Sequence, residues 1–128
     1  MQVLIDTHVV VWLFNEPNRL SLRASEILAS IDSEIFVSAA TAWEIAIKVK
    51  LGKMQFDQEF LNDFDQQAMA LRWTTLQMIA AHGVAAASLP QGHKDPFDRM
   101  LCAQARLEGL ELLSNDEKFK SLGLETIW

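Results

Sequence analysis

Apolar runs alternate with longer amphipathic segments along this chain. The short runs are VLID (3–6), EIFVS (34–38), a weaker RWTTL (72–76), ELLS (111–114) and a closing LETIW (124–128). Short apolar runs without strict alternation are typical of strands that are buried on both faces of a parallel sheet. The pattern therefore predicts five strands.

The intervening segments carry apolar residues at helical spacing. They predict helices over 8–14, from the N-cap Ser21 to about 32, over 43–49 up to Gly52, over 57–71, over 78–89, over 96–108 up to Gly109, and a short one over 116–121. Strands that alternate with helices indicate an α/β fold with three layers, α/β/α, around a central, mainly parallel sheet of about five strands. No repeat or linker interrupts the pattern, so we expect a single domain over 1–128.

Composition and charge narrow the functional classes. Half of the 128 residues are apolar, so the chain can form a core without disulfides, and the lone Cys102 stands among apolar neighbours as a small buried residue. The net charge of −6 argues against an extended phosphate-binding surface, so an anionic substrate would need a bound divalent cation. The apolar N-terminus contains Asp6, lacks a basic region and is too short to span a bilayer, so we expect a soluble, cytoplasmic protein.

The acidic residues are placed where such a fold carries its sites. In open parallel sheets, ligands bind beyond the carboxyl ends of the strands. Asp6 ends the first strand, Asp116 follows the fourth, and Glu44 and Asp98 lie near the starts of helices. Oxygen ligands alone suit Mg²⁺ or Mn²⁺, and such ions can activate water in phosphodiester hydrolysis.

Each acid also has an ordinary structural alternative. Asp95 precedes Pro96 and is a natural N-cap, and Asp98 is favourably placed in the first helical turn. Asp6 and Asp116 could accept hydrogen bonds from the backbone of the turns that follow them. The sequence alone leaves these alternatives open.

Glu44 has a separate alternative, as an exposed helical residue paired with Lys48 four positions later. The histidines show no HExxH or Cys/His spacing, which argues against zinc. GxSxG, P-loop and GxGxxG motifs are absent, which argues against serine hydrolases, P-loop NTPases and dinucleotide enzymes.

Other α/β classes fit less well. A phosphatase of the haloacid-dehalogenase type needs a second Asp where His8 stands, and a receiver domain needs an acidic pair and a late Lys where Thr7 and Asn115 stand. A non-catalytic partner-binding α/β domain remains an alternative to an enzyme.

Four longer segments together resemble one family. LIDTH, VSAATAWEIAIKVKLGK, LPQGHKDPFDRMLCAQA and LLSNDEKF occur in this order before a terminal Trp. Over essentially the whole chain they resemble the PIN-domain family, and more narrowly the VapC-type toxins of bacterial toxin–antitoxin pairs. The resemblance implies a PIN-like three-layer fold and a metal-dependent endoribonuclease.

The resemblance also assigns site residues. The acidic quartet of the family falls on Asp6, Glu44, Asp98 and Asp116, all present here. It implies that Asp6, Asp98 and Asp116 bind Mg²⁺, or Mn²⁺, with Asp116 binding directly or through water. Glu44 would complete the pocket or position water. A water activated by the ion would attack phosphorus, and the ribose 3′ oxygen would leave, giving a 5′ phosphate.

Supporting residues are expected around this quartet. Thr7 and Ser114 would supply hydroxyl groups, and Asp95 would act mainly as a cap while tuning the site. Arg99 and the lysines of the preceding helix (Lys48, Lys50 and Lys53) would contact the RNA backbone at the rim, unless they are simply solvated charges.

Partners follow from the same resemblance. Family members pair as homodimers and are inhibited by a small antitoxin that lies in an apolar groove and reaches the acidic pocket. We therefore expect an RNA substrate, a cognate antitoxin, and a homodimer or a toxin–antitoxin hetero-oligomer, with no membrane association. The apolar residues of the first helix (Val9, Val10, Trp12, Leu13 and Phe14) would divide about equally between the core and that groove.

Overall fold

Five parallel strands form the centre of the computed structural model, which describes all residues, 1–128. They are β1 (Gln2–Ile5), β2 (Glu34–Ser38), β3 (Trp73–Leu76), β4 (Glu111–Leu113) and β5 (Thr126–Ile127). The strand order is β3-β2-β1-β4-β5, and every neighbouring pair is parallel. The predicted five-stranded sheet is confirmed, although the last strand is shorter than LETIW.

Seven α-helices and two 3₁₀ helices connect the strands. They are α1 (Thr7–Asn15), the 3₁₀ helix Pro17–Arg19, α2 (Leu22–Ala29), α3 (Ala39–Lys50), α4 (Gln58–Asn62), α5 (Phe64–Ala70), α6 (Ala80–Ala87), α7 (Pro96–Glu108) and the 3₁₀ helix Glu117–Leu122. None of these helices has the length and apolar character needed to cross a membrane.

Local sequence signals predicted two helix ends correctly. The Ser21 hydroxyl accepts a hydrogen bond from the Ala24 N–H at 2.9 Å and caps α2. Gly109 ends α7 in the left-handed conformation, with φ of 65°, which glycine adopts without a steric penalty.

The helix predicted over 43–49 begins earlier, at Ala39, and two other predicted helices differ further in their bounds. The helix over 57–71 is broken at Asp63, yet Phe60 and Ala68 on its two halves are both buried, so the apolar period continues across the break. The second helix ends at Ala29, and Ile31 is 84% exposed rather than part of its buried face. Periodicity alone therefore misjudged a break and an end.

The central strand separates two halves of the core. Val3 and Ile5 belong to one apolar cluster, while Leu4 belongs to the other, because successive side chains of a strand point to opposite faces. Cys102 is a free thiol buried in the second cluster, as expected, and burial raises its pKa. Apolar layers thus cover both faces of the sheet.

The strand order of the sheet reverses next to β1, and this point marks the edge of the sheet where a ligand would bind. The chain passes from β1 to β2 on one side, while β4 pairs with the other side of β1, so the strand order reverses between β1 and β4. The Asp6 N–H donates to the Leu113 carbonyl at 3.1 Å, which joins the ends of these two strands. Asp6 and Ser114 therefore emerge side by side at the edge where α/β folds bind ligands.

Candidate active site

Asp6 lies between β1 and α1, and its side chain points away from the helix that it precedes. It occupies the N-cap position of α1 but caps no backbone N–H group. Instead, Asp6 Oδ2 accepts a hydrogen bond from the Ser114 hydroxyl at 2.7 Å. Asp6 Oδ1 is buried without any hydrogen-bond partner. The capping alternative is therefore wrong for Asp6, and its free oxygen needs another explanation.

Glu44 is buried on α3, so its alternative interpretation as an exposed helical residue is wrong. The residue is 3% exposed, and its Oε2 accepts a hydrogen bond from Lys48 Nζ at 2.7 Å. Glu44 Oε1 is buried and has no partner. Burial lowers the pKa of Lys48, but the hydrogen bond and charge of Glu44 outweigh this effect, so the pKa is raised. The i, i+4 pair exists, but it lies at the site rather than on a solvated face.

Two carboxylates at the start of α7 have different roles. Asp95 Oδ1 accepts hydrogen bonds from the N–H groups of Phe97 and Asp98, at 2.8 and 3.3 Å, and thus caps the helix. Asp98 is 9% exposed, and its Oδ2 lies 2.7 Å from His93 Nε2. Burial raises the pKa of Asp98 to about 6; the charges of Asp6 and Asp95 add to this rise, while the His93 hydrogen bond opposes it.

These acids share one electrostatic environment. The negative charge of Asp6 raises the pKa of Asp98, and both Asp6 and Glu44 raise that of His8. Asp98 and Asp95 in turn raise the pKa of Lys48. Asp6 and Asp98 lie at helix starts, whereas Glu44, predicted near a helix start, lies in the middle of α3; the three acids are close enough to act on the same neighbouring groups.

Two histidines at the site were missed as participants. His93 contacts Asp98 directly. His8 Nδ1 lies 3.9 Å from Asp6 Oδ2, and this interaction raises the pKa of His8 against the effect of burial. Neither histidine belongs to a metal motif, so the available signal was only their nearness in sequence to the two acids. His82, in contrast, is buried and lies against Gln104 and Glu108.

Asp116 and Thr7 lie at the margin of the acidic group. Asp116 Oδ1 accepts a hydrogen bond from the Lys118 N–H at 2.9 Å and caps the second 3₁₀ helix, as its structural alternative stated. It reaches the site through Ser114, whose hydroxyl accepts a hydrogen bond from the Asp116 N–H at 3.0 Å. The Thr7 hydroxyl lies 3.0 Å from that of Thr41 and joins α1 to α3. Both supporting hydroxyl groups therefore fix backbone or carboxylate positions.

Arg99 supports the site differently from the prediction. Its guanidinium makes six hydrogen bonds, of 2.7 to 3.4 Å, to the carbonyl groups of Ala86, Ala87, Leu89, Pro90 and His93. The predicted contact between Arg99 and RNA at the rim would therefore have to compete with these hydrogen bonds. Through this loop Arg99 places His93, which contacts Asp98.

The donor chemistry fits a divalent cation, although the ligands are not preassembled. No group of three or more His, Cys, Asp or Glu side chains is arranged to hold a metal ion. Each of three acids nevertheless has one oxygen bound by a neighbour and the other without a protein partner. The fixed oxygens are Asp6 Oδ2, Glu44 Oε2 and Asp98 Oδ2. A hard cation such as Mg²⁺ would satisfy the free oxygens and relieve the repulsion between the acids.

The apolar cavities lie elsewhere. Cavities of about 360 and 280 Å³ adjoin each other beside α2, and both are lined by Leu28, Leu71 and Trp73. None of Asp6, Glu44, Asp98 and Asp116 lines either cavity.

Comparisons with known proteins agree with this geometry. A model of the PIN domain family matches residues 3–124. Ribonuclease VapC22 of Mycobacterium tuberculosis is 32% identical over 120 residues, which cover 93% of this chain and 90% of that protein.

Solved structures share the fold at low identity. The chain superposes on VapBC2 from Rickettsia felis, bound to a DNA fragment from their promoter, with a TM-score of 0.69, 18% identity and coverage of 98% of each chain. For VapBC-1 from nontypeable Haemophilus influenzae the TM-score is 0.69, the identity 17%, and the coverage 99% of this chain and 97% of that one. The matched span, the identity to a full-length relative and the shared architecture show that this chain belongs to the PIN domain family.

Proposed function

We propose that this protein is a metal-dependent endoribonuclease that hydrolyses RNA phosphodiester bonds and acts as the toxin of a toxin–antitoxin pair. Its family, the ribonuclease name of its relative and the VapBC assemblies among its structural neighbours support this function. The observation that carries it is the pair of buried carboxylate oxygens, Asp6 Oδ1 and Glu44 Oε1, that have no hydrogen-bond partner. Such oxygens are costly in a folded protein unless a cation binds them.

The proposed ligands of Mg²⁺, or Mn²⁺, are Asp6, Asp98 and Asp116, the last directly or through water. When bound, the ion would supply Lewis-acid stabilisation of the phosphate and a water of lowered pKa. Glu44, whose Oε1 is buried without a hydrogen-bond partner, would complete the pocket or position water. This route would not need a histidine pair acting on the 2′ hydroxyl.

Neighbouring side chains hold the acids in orientation. Ser114 fixes one oxygen of Asp6, Lys48 fixes one of Glu44, and His93 lies against one of Asp98. Because one oxygen of each acid is held by a neighbouring side chain, the carboxylates are oriented before an ion or substrate binds. The other oxygen of each acid stays available to bind it. Such support from surrounding groups typically changes metal affinity or activity by about 10- to 100-fold.

A cleavage assay tests the proposal. Purified protein is incubated with total cellular RNA in Mg²⁺ or in EDTA, and the ends of the fragments are mapped. We expect cleavage only with Mg²⁺, with 5′ phosphate and 3′ hydroxyl ends, and loss of cleavage in Asp6→Asn and Asp98→Asn. Asp65→Asn, at an exposed position of α5, is the matched control and should cleave as the unmodified protein does. Equal cleavage by Asp6→Asn would contradict the proposed role of Asp6, and no cleavage by the unmodified protein would contradict the nuclease and favour a partner-binding domain.

The apolar groove supports the antitoxin part of the proposal. Within α1, Val9, Val10 and Trp12 are buried in the core, whereas Leu13 lines the cavity of about 280 Å³ beside α2 and Phe14 is 36% exposed. Phe14 packs against Phe56 and Phe60, with ring centroids 5.1 and 5.0 Å apart, so Leu13 is the residue of α1 that would contact an apolar segment in this cavity. The net charge of −6 favours a basic inhibitor segment.

A binding titration tests this partner. The protein is titrated with the product of its genomic neighbour, and Leu13→Asp is compared with the unmodified chain. We expect a complex that Leu13→Asp weakens; no complex with the unmodified chain would contradict an antitoxin encoded there. Sedimentation of the free protein tests the proposed homodimer.

A further inference from the structure

Trp43 is exposed beside the acidic site. It is 58% exposed, whereas Trp12 and Trp73 are 9% and 5% exposed and Trp128 is half-buried. Trp43 stands on α3 directly before Glu44, so its backbone is fixed by the same helix that carries a site carboxylate. A large aromatic side chain left in water at this position has no role in the core.

Phe97 holds the Trp43 ring in place. The two ring centroids are 5.3 Å apart and the planes are inclined at 72°, an edge-to-face contact. Phe97 is itself fixed, because its N–H donates to Asp95 Oδ1, and it directly precedes Asp98. The contact holds the indole against the residue that directly precedes Asp98, on a helix other than its own, while more than half of Trp43 stays open to solvent.

The net negative charge of the protein favours RNA binding through aromatic side chains. A net charge of −6 argues against RNA binding that relies mainly on an extended phosphate-binding surface. Near the site, Lys48 is bound to Glu44 and Arg99 is bound to backbone carbonyl groups, so neither is a free cation. Stacking of bases on aromatic rings is independent of this charge balance and tolerates any base.

We propose that Trp43 is a stacking platform for an unpaired nucleobase of the RNA substrate, next to the phosphate that is cleaved. The inference rests on the proposed ribonuclease function and specifies its substrate as single-stranded at that nucleotide. Trp43 binds and positions the RNA and takes no part in the chemical step. A duplex would keep the base stacked on its neighbours and out of reach of the indole.

Fluorescence gives a direct readout, because Trp43 is the most exposed of the four tryptophans. The unmodified protein is titrated in EDTA, where no cleavage is expected, with a short unstructured oligoribonucleotide and with its duplex. We expect quenching by the single strand and little by the duplex. In filter binding of the labelled oligoribonucleotide, which does not depend on tryptophan emission, Trp43→Phe should keep most of the affinity, while Trp43→Leu, which keeps apolar area but no ring, should raise Kd by about tenfold or more. Leu51→Ala, 61% exposed at the end of the same helix, is the matched control and should leave Kd unchanged.

Cleavage separates this inference from the proposed function. In Mg²⁺, Trp43→Leu should raise KM for RNA by a similar factor and leave kcat within about twofold, as expected for uniform binding. If the unmodified protein binds the single strand with quenching but cuts no RNA, the stacking platform is supported and the nuclease proposal is wrong.

Three results would overturn the platform. The first is no quenching by any oligoribonucleotide, and the second is equal Kd and KM for Trp43→Leu and the unmodified protein. The third is a change in sedimentation of Trp43→Leu with RNA binding intact, which would assign Trp43 to contact between copies of this chain.

Discussion

Replacing Asp98 by Asn should stabilise the metal-free protein at neutral pH. Burial, together with the charges of Asp6 and Asp95, raises the pKa of Asp98 from 3.8 to about 6. This difference corresponds to about 3 kcal/mol of unfavourable ionisation in the folded state. The Asp98 side chain is 12% exposed and contacts His93, so solvent and His93 screen part of its charge. The expected gain in the free energy of unfolding of Asp98→Asn is therefore about 1–2 kcal/mol.

The pH dependence has a definite sign. A carboxyl group with a raised pKa in the folded state binds its proton more tightly there than in the unfolded chain, so its contribution to stability is complete below pH 3.8 and disappears as pH rises to about 6. Asp98→Asn lacks this titration. The stability difference between the two proteins should therefore be small at pH 4, grow up to pH 6 and remain constant at higher pH.

Asp95→Ala is the matched comparison, because it removes the neighbouring carboxylate that caps α7. The two N–H groups bound by Asp95 Oδ1 lose their acceptor, so this variant should be less stable by about 1 kcal/mol at all these pH values. Asn would be a poor choice here, since it caps helices about as well as Asp. Opposite stability changes thus distinguish a cap from a crowded site carboxylate.

Urea unfolding in EDTA and in Mg²⁺ measures both effects. At a Mg²⁺ concentration ten times its Kd, the unmodified protein and Asp95→Ala should each gain about 1.4 kcal/mol, whereas Asp98→Asn should gain little. A loss of stability in Asp98→Asn in EDTA at pH 7.5, or loss of the Mg²⁺ response in Asp95→Ala, would show that the two roles are assigned the wrong way round.

Three further perturbations address the surroundings of the site. Arg99→Ala should lower the free energy of unfolding by about 2–4 kcal/mol and open the loop to trypsin at Lys94, because six hydrogen bonds disappear. A loss below about 1 kcal/mol would contradict this role of Arg99, and the unfolding free energy of Arg99→Lys should lie between those of the unmodified protein and Arg99→Ala. Gly83→Ala should raise the unfolding free energy by about 0.5–1 kcal/mol in thermal denaturation, because an added Cβ meets nothing within 4 Å in α6; destabilisation would refute it. Ser114→Ala should reduce RNA cleavage by about 10- to 100-fold, since Asp6 loses the donor that orients it; unchanged cleavage would mean that the hydroxyl is dispensable.

Features fixed by neighbouring residues could be predicted from the sequence. The bounds of α7 were correct because Asp95 and Pro96 start the helix and Gly109 ends it within a few residues. The strand Glu34–Ser38 was also correct, since an apolar run between polar segments defines it. The position of Asp6 at the carboxyl end of the first strand was correct too, whereas the order of the strands was not predicted and comes from the structure.

Features that depend on distant packing could not be predicted in this way. Glu44 and Lys48 have the spacing of a surface ion pair, and only the helices packed around α3 bury Glu44 to 3% exposure. Arg99 binds carbonyl groups up to 13 residues earlier in the chain, in a loop whose path has no sequence pattern. His93 acquires its contact with Asp98 because that loop is held there.

The partners of the three acids explain how one sequence can both fold and keep a site for a cation. Asp6 is paired with a neutral hydroxyl group, Glu44 with an ammonium group and Asp98 with an imidazole. Two of these three partners can carry positive charge, so they offset part of the repulsion in the metal-free protein while leaving one oxygen of each acid free. Full neutralisation by the protein would satisfy those oxygens and remove the affinity for a metal. The raised pKa of Asp98 shows that the offset is incomplete, and this residual instability is what a bound divalent ion would relieve.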